Sequence, residues 1–270
     1  MSCIAKIGYY TQPATAVYHS HSTYQLVYFF QGSTRLKIGR EVYDIVAPAA
    51  AFISNLESHS MEQMSADCCR YVVQIDPRTA YDQLNDAALL LSAFTDRTAG
   101  FCPVVAVPEE GEVLAALLRL LLEENREGGS DVSQSTILYN ILHYLFRISP
   151  QSFPYLQQGE LFIVRHIRRQ FELNPARSAT LEELAEEYNV SQSFLTHSFK
   201  KATGYSLGRY QMLCRLARAK ELLRYTQLPV SDICYGCGFT DLSNFSRYFR
   251  REEGCSPSEY RTRQFLEYMD

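Results

Sequence analysis

Two groups of side chains in this sequence are of types that do chemistry. The first is His19-Ser20-His21 followed by Gln25 and Gly32, with a further histidine at His59. Imidazoles at i and i+2 of an extended chain fall on one side of it, where they can share a metal ion or hydrogen-bond one ligand. The second is Ser243, Asn244 and Arg247, within the run VSDICYGCGFTDLSNFSRYFRREEGCSPSEYR from Val230 to Arg261. An arginine fork pairs with O6 and N7 of guanine, and an asparagine amide with N6 and N7 of adenine. Polar residues of this kind on one helix face suit base reading in a major groove.

The elements that must position the second group are legible around it. Val230, Ile233 and Cys234 begin a short apolar-periodic segment, Gly236-Cys237-Gly238-Phe239 turns the chain, and a second helical run follows. In that run Leu242, Phe245, Tyr248 and Phe249 recur at helical spacing and predict one apolar face, with Ser243, Asn244, Arg247, Arg250 and Arg251 outward. Thr240 is the predicted N-cap and Gly254 the predicted stop. Two short helices about a glycine turn, the second polar and basic, form the pattern of a helix-turn-helix.

This run closely resembles the C-terminal signature of the AraC family of transcriptional regulators. The matching positions are Ile233, Gly238-Phe239, Ser243, Phe245-Ser246-Arg247, Phe249, Gly254, Ser256-Pro257 and Tyr260-Arg261. A second unit of the same kind is readable upstream. Phe162, Val164 or Ile163, Ile167 and Phe171 predict the inner face of a helix whose Arg165, Arg168 and Arg169 point outward, and Asn174-Pro175 ends it. Thr180 to Glu183 is a capping box, Leu184, Ala185 and Tyr188 an apolar face, and Asn189 a left-handed helix end. Ser191 then caps a helix through Phe194, Leu195 and Phe199 to Gly204.

The resemblance implies two such units joined by a long helix, and Tyr210–Tyr225, with Leu213, Leu216, Ala217 and Leu223, suits the joint. It also implies base-reading positions at Ser193, Thr196 and His197 in the first unit and at Ser243, Asn244 and Arg247 in the second. An arginine is more usual in the family at His197, which weakens readout by the first helix. Lys200, Lys201, Arg215, Arg250 and Arg251 are the phosphate candidates. The resemblance covers about residues 160–261 strongly and the N-terminal half loosely.

The N-terminal half reads as β. Gln25–Phe30, Arg35–Ile38, Glu41–Val46, Ala51–Ile53 and Arg70–Ile75 are short runs rich in β-branched and aromatic residues, punctuated by Gly32, Gly39, Pro48 and Asp76-Pro77. His19, His21, Thr23, Gln25, Val27 and Phe29 share one parity, and Tyr24, Leu26, Tyr28 and Phe30 the other, so the strand is predicted to be covered on both sides. The histidine spacing resembles the first motif of the cupin β-barrels, with Gln25 where cupins place a glutamate. This fits the arm-and-barrel sensor domains found in many AraC-family members.

Three readings compete for these residues: a metal site, a pocket that hydrogen-bonds an organic effector, and a structural network without a ligand. The neutral Gln25 is a poor ligand, so the sequence favours no metal and no cofactor. The favoured effector pocket comprises His19, His21, Gln25 and His59, with Arg35, Tyr9, Tyr10 and Tyr18 as helpers, and it suits a sugar or a small aromatic.

After a predicted short helix within residues 80–100, two leucine-rich helices span 110–124 and 133–147. Asp131 or Ser133 is the predicted cap of the second. Their wide apolar faces predict a homodimer contact as well as packing on the barrel. The predicted class is therefore α+β in two domains. A cupin-like β-barrel with two following helices (1–150) and a linker (151–159) precede an all-α domain of two helix-turn-helix units joined by a long helix (160–270).

Composition sets the outer bounds. A chain of 270 residues has room for two cores, and its net charge is -4. Residues 1–159 hold 10 Lys/Arg against 16 Asp/Glu, whereas residues 160–270 hold 16 against 14. This is a weak basic footprint, so double-stranded DNA as partner rests on the motif. No apolar h-region follows Met1-Ser2-Cys3 and no run is long enough to span a bilayer, which predicts a cytoplasmic protein without membrane contact. The eight cysteines then read as reduced thiols, including the Cys234-x-x-Cys237 pair. The expected function is a DNA-binding activator of transcription that responds to a small molecule. A cupin metal-dependent oxygenase or isomerase fused to a DNA-binding tail is the rival.

Overall fold

The computed structural model describes the chain apart from residues 1, 12–17, 85–86, 97–100, 108–110, 155–158 and 268–270. It divides into two compact units, Met1–His19 with Thr23–Leu156, and Gln157–Asp270 with Ser20–Ser22. No helix among the described residues is long and apolar enough to cross a membrane.

The first unit contains strands β1 (Ile4–Tyr10), β2 (Tyr24–Gln31), β3 (Ser33–Ile38), β4 (Glu41–Val46), β5 (Ala49–Ile53), β6 (His59–Gln63) and β7 (Cys69–Ile75). Short helices α1 (Pro77–Gln83), α2 (Ala87–Leu90) and α3 (Ser92–Thr95) precede β8 (Val104–Ala106). The long helices α4 (Glu112–Arg126) and α5 (Asp131–Ile148) close the unit. One sheet has the order β1-β7-β2-β5-β8 and the other β4-β3-β6, every pairing being antiparallel.

The alternation in β2 divides the core in two, because side chains one residue apart point to opposite faces. Val27 and Phe29 pack with Leu36, Ile38, Ile45, Ala51, Ile53 and Met61 between the sheets. Tyr24, Leu26 and Tyr28 pack with Phe52, Phe94, Leu114, Leu118, Leu138 and Leu142 beneath the helices. Phe30, predicted to lie on this second face, is exposed, because the pairing slips between Phe29 and Gln31.

Strands β1, β6 and β8 were not among the predicted runs. Lys6 and Gly8 interrupt the first, Met61 is the only aliphatic side chain of the second, and the third is three residues long. Cross-strand partners make them strands. The single helix expected within residues 80–100 is three short ones, the first capped by the Asp76 carboxylate. Ser130, not Asp131 or Ser133, caps α5, its hydroxyl accepting from the Ser133 amide.

The expected linker begins too early. Pro150–Ser152 is a 3-10 turn, and Phe153 is buried edge-on against Phe52 and Phe146, at 5.3 and 5.6 Å. The first unit therefore keeps the chain through residue 153. Residues 155–158 of the expected linker lie outside the described residues, as does residue 110 at the expected start of α4.

The second unit is helical: α6 (Gly159–Leu173), α7 (Leu181–Glu187), α8 (Gln192–Thr203), α9 (Leu207–Tyr225), α10 (Val230–Gly236), α11 (Leu242–Glu253) and α12 (Pro257–Glu267). The capping box at Thr180 and Glu183 forms in both directions, and Asn189 adopts φ 52°. Ser191 caps α8, and Gly204 and Gly254 end α8 and α11 at φ 76° and 72°, all as predicted.

Three local expectations are corrected. Asp241, not Thr240, caps α11, its carboxylate accepting from the Ser243 amide. Phe162 and Leu242, assigned to apolar faces, are exposed at helix starts, where fewer neighbours reach them. Arg168, assigned to an outer face, is 2% exposed: its guanidinium donates to the Tyr210 hydroxyl at 3.2 Å and faces Glu172 at 3.8 Å.

Gly238 carries the turn between α10 and α11 at φ +85°, and a Cβ there would lie 2.8 Å from both the Cα and the carbonyl oxygen of Ala176. Gly238→Ala is therefore expected to destabilise the protein by roughly 2 kcal/mol or more in urea denaturation. Gly208→Ala meets nothing within 4 Å on helix α9 and should be neutral or stabilising by up to about 1 kcal/mol.

Candidate nucleic-acid interface and effector site

Helix α11 has two contrasting faces. Phe245 and Phe249 are fully buried, and Phe239, Phe245, Phe249 and Tyr260 form a continuous aromatic column with ring centroids 4.9, 5.7 and 5.4 Å apart. This anchors one face. Ser243, Asn244 and Arg247 stand exposed on the other. The Arg247 guanidinium donates to the Asn244 amide oxygen at 2.6 Å, so the two groups best suited to base edges are already aligned side by side. Arg247 and Arg251 both lie over the Tyr248 ring, at 5.9 and 4.8 Å.

Helix α8 repeats the plan in the first half. Leu195 and Phe199 are fully buried, while Ser193, Thr196, His197, Lys200 and Lys201 are exposed. Of the five phosphate candidates, Lys200, Lys201, Arg250 and Arg251 face solvent. Arg215 does not. Its guanidinium is turned inward and donates to the Pro175 and Arg177 carbonyls at 3.1 and 3.5 Å, and burial holds its pKa below the usual arginine value.

The Cys234 and Cys237 thiols are buried and free, and burial pushes the Cys237 pKa up to about 12. This matches small core residues under the turn rather than reactive thiolates.

In the first unit, His19 and His59 pair through an isolated bridge, the amide of each donating to the carbonyl of the other at 2.9 and 2.7 Å. Their rings lie 4.5 Å apart. His59 is fully buried, and His21, in the short segment that groups with the second unit, is buried as well. His59 Nδ1 is 3.1 Å from the Glu57 carbonyl oxygen. A carbonyl only accepts, so Nδ1 is the donor in this contact. Two neighbouring imidazoles of this kind suit a polar organic group or a share in a metal ion.

Gln25 is buried on β2, opposite Gln74 of β7, with the parity of Val27 and Phe29 that faces the space between the sheets. The proposed helpers are scattered. Arg35 has the opposite parity to the buried Thr34 and Leu36, and pairs through both nitrogens with Asp44, Nε at 2.7 Å. Tyr18 is exposed, donating to the Gly39 carbonyl, and Tyr9 packs against Tyr71 with the rings tilted, centroids 4.8 Å apart. Tyr10 lies under the Arg70 guanidinium, 5.4 Å from its ring.

Arg70 was missed by the sequence reading. It is buried opposite Phe29 on the inner parity of β7, with Val72 and Gln74. Once β7 is assigned, its alternation alone would have placed Arg70 on that face.

Comparison with known proteins matches the AraC-like ligand binding domain over residues 4–142 and a Helix-turn-helix domain over residues 184–263. The chain is 25% identical over 245 residues to the HTH-type transcriptional activator RhaS of Mannheimia succiniciproducens, covering 90% of this chain and 88% of that one. It is 30% identical to the uncharacterized HTH-type transcriptional regulator YdiP of Escherichia coli K12 over 61% of this chain and 55% of YdiP. Among solved structures, ToxT of Vibrio cholerae shares the fold with a TM-score of 0.61 at 14% identity, over 97% of this chain and 95% of that chain.

Arg247→Ala is expected to lose roughly 1–3 kcal/mol of discrimination at one base pair in competition binding. Lys200→Ala should weaken all duplexes alike and flatten the salt dependence by about one ion. The raised thiol pKa sets a further expectation. At pH 8 Cys237 stays protonated and escapes alkylation while exposed Cys102 reacts, and the preference of the fold for the neutral Cys237 thiol is lost as pH rises from about 9 to about 12. With two helix-turn-helix units and a matched ligand-binding domain in one chain, this protein belongs to the AraC family of transcriptional regulators.

Proposed function

We propose that the protein is a sequence-specific, DNA-binding activator of transcription whose N-terminal unit binds a small organic effector. The observation that carries the DNA half is α11: fully buried Phe245 and Phe249 on one side, exposed Ser243, Asn244 and Arg247 on the other, with the plan repeated in α8. A helix anchored this way offers its polar face to a major groove, and two of them on one domain suit adjacent groove segments. RhaS, similar over 90% of this chain, is named a transcriptional activator, and this supports the direction of regulation. An oxygenase or isomerase reading has no counterpart among the relatives named above, which are transcriptional regulators.

The effector site is centred on His19, His59 and Gln25 of the first unit. These groups donate and accept hydrogen bonds, and Gln25 faces the apolar space between the sheets. A polyhydroxylated or small aromatic compound suits this mixture. To act as an effector it must bind one arrangement of the protein better than another.

The dimer reading is supported by helix α4. Leu114, Leu118, Leu121 and Leu122 face the core, but Val113 and Leu120, 53% and 45% exposed, continue outside with half-buried Leu117 at i, i+4 and i+7. An apolar stripe on the outer side of a helix is the expected footprint of a second copy.

Selection of binding sites from random duplex DNA is the direct test of the function. A defined consensus is expected, and enrichment of no sequence would overturn the proposal. Native mass spectrometry tests the other half. A dimer free of metal is expected, with Leu120→Glu monomeric. A bound metal ion that disappears in His59→Ala would replace the organic effector with a metal.

A further inference from the structure

The two helix-turn-helix halves share α9, and a covalent helix alone would let them twist about it. Four contacts oppose this. At one end Gly238, in the turn of the second half, lies directly on the Ala176 backbone of the first. Beside it, Gln211 and Arg215 of α9 donate to the Arg177 and Pro175 carbonyls at 2.8 and 3.1 Å.

At the other end Arg209, in the first turn of α9, reaches the last turn of α11. Its Nη1 and Nη2 donate to Oε1 and Oε2 of Glu252 at 2.9 and 2.5 Å. Its neighbour Tyr210 is locked into the first half, edge-on to Phe199 at 5.4 Å and donating to Glu172. The Arg209 backbone therefore moves with the first half and its guanidinium with the second reading helix.

The pair is electrostatically committed. Glu252 raises the Arg209 pKa, and hydrogen bonds from Arg209 and Arg251 outweigh burial and hold the Glu252 carboxyl below its ordinary value. Arg251 joins from the other side, its Nε donating to Oε1 at 3.0 Å. The two side chains are 33% and 18% exposed, so solvent weakens the energy of the pair. What a two-pronged fork contributes is orientation.

We propose that Arg209 and Glu252 are positioning residues that hold α8 and α11 at one relative setting, so that the protein accepts only one spacing between the two DNA segments it reads. This rests on the base-reading roles of α8 and α11. Each added base pair moves the second segment about 3.4 Å along the duplex and about a tenth of a turn around it, and only a twist about α9 could follow it.

The test uses the full-length protein, a duplex selected by it from random DNA, and two derivatives with one base pair inserted or deleted between the segments. Wild type should bind both derivatives about 100-fold more weakly, because a misplaced helix forfeits several base contacts. Glu252→Gln keeps the shape and the Arg209 charge but loses the paired charges. It should bind the selected duplex within a few-fold of wild type, with the spacing penalty reduced to about 10-fold and the salt dependence unchanged. Reversing the pair, Arg209→Glu with Glu252→Arg, should restore the penalty.

An equal loss on all three duplexes, with the penalty intact, would show that the pair only stabilises the fold and overturns the proposal. Wild-type tolerance of both derivatives overturns it as well, while leaving DNA reading in place. Failure to select any duplex overturns the reading itself, and the proposal with it.

Discussion

The helical unit depends on one constraint: helices α8 and α11 are gripped hard on one side and left bare on the other. In α11 this is met by two phenylalanines four residues apart, both withdrawn completely from water, in an aromatic column that runs from Phe239 to Tyr260. Burying each ring contributes about 1.5–3 kcal/mol, and the edge-on geometry adds to that. The polar face then needs no support of its own. Its ends are closed by the Asp241 carboxylate, which accepts from the Ser243 amide, and by left-handed Gly254, whose amide donates to the Arg250 carbonyl.

The same economy appears in the first half, with a polar variation. Arg168, Glu172 and Tyr210 form a buried hydrogen-bonded group among Val164, Ile167 and Phe199, and burial beside Glu172 pushes the Tyr210 hydroxyl well above its ordinary pKa. A charge this deep is tolerable only when paired, and the pairing has a geometric use: it ties α6 to the start of α9 at a defined angle. Lys220 and Glu253 form a second buried pair, at 2.9 Å, between the middle of α9 and the end of α11. Burial lowers the Lys220 pKa while Glu253 opposes that shift. Polar contacts thus set directions where apolar packing alone would allow sliding.

In the sheet unit the division of labour is by parity. One face of β2 supplies Tyr24, Leu26 and Tyr28 to the helices, and the other supplies Val27 and Phe29 to the space between the sheets, where Gln25 also points. His19 lies before β2 and His59 at the start of β6, joined by a backbone bridge. Polar groups at the edge of an apolar interior are what a small-molecule site requires: desolvated walls, and a few fixed donors and acceptors.

Much of this could be read from residue order. Helical spacing, the capping box at Thr180, the left-handed Asn189 and the stops at Gly204 and Gly254 are local properties, decided by residues within one turn of each other, and all appear where predicted. The alternation of β2 and the duplicated helix-turn-helix are local in the same sense. What the sequence could not determine depends on residues far apart in the chain. Strands β1, β6 and β8 exist because partners are present, not because of their composition. Arg168 and Arg215 look like surface cations until Glu172, Tyr210 and the Pro175 carbonyl are brought to them. Arg35 looked like a pocket residue until its strand parity and Asp44 turned it outward, while Arg70 went unnoticed inside. Whether a long side chain faces water or the interior is decided by its neighbours in space, and only the folded chain specifies those.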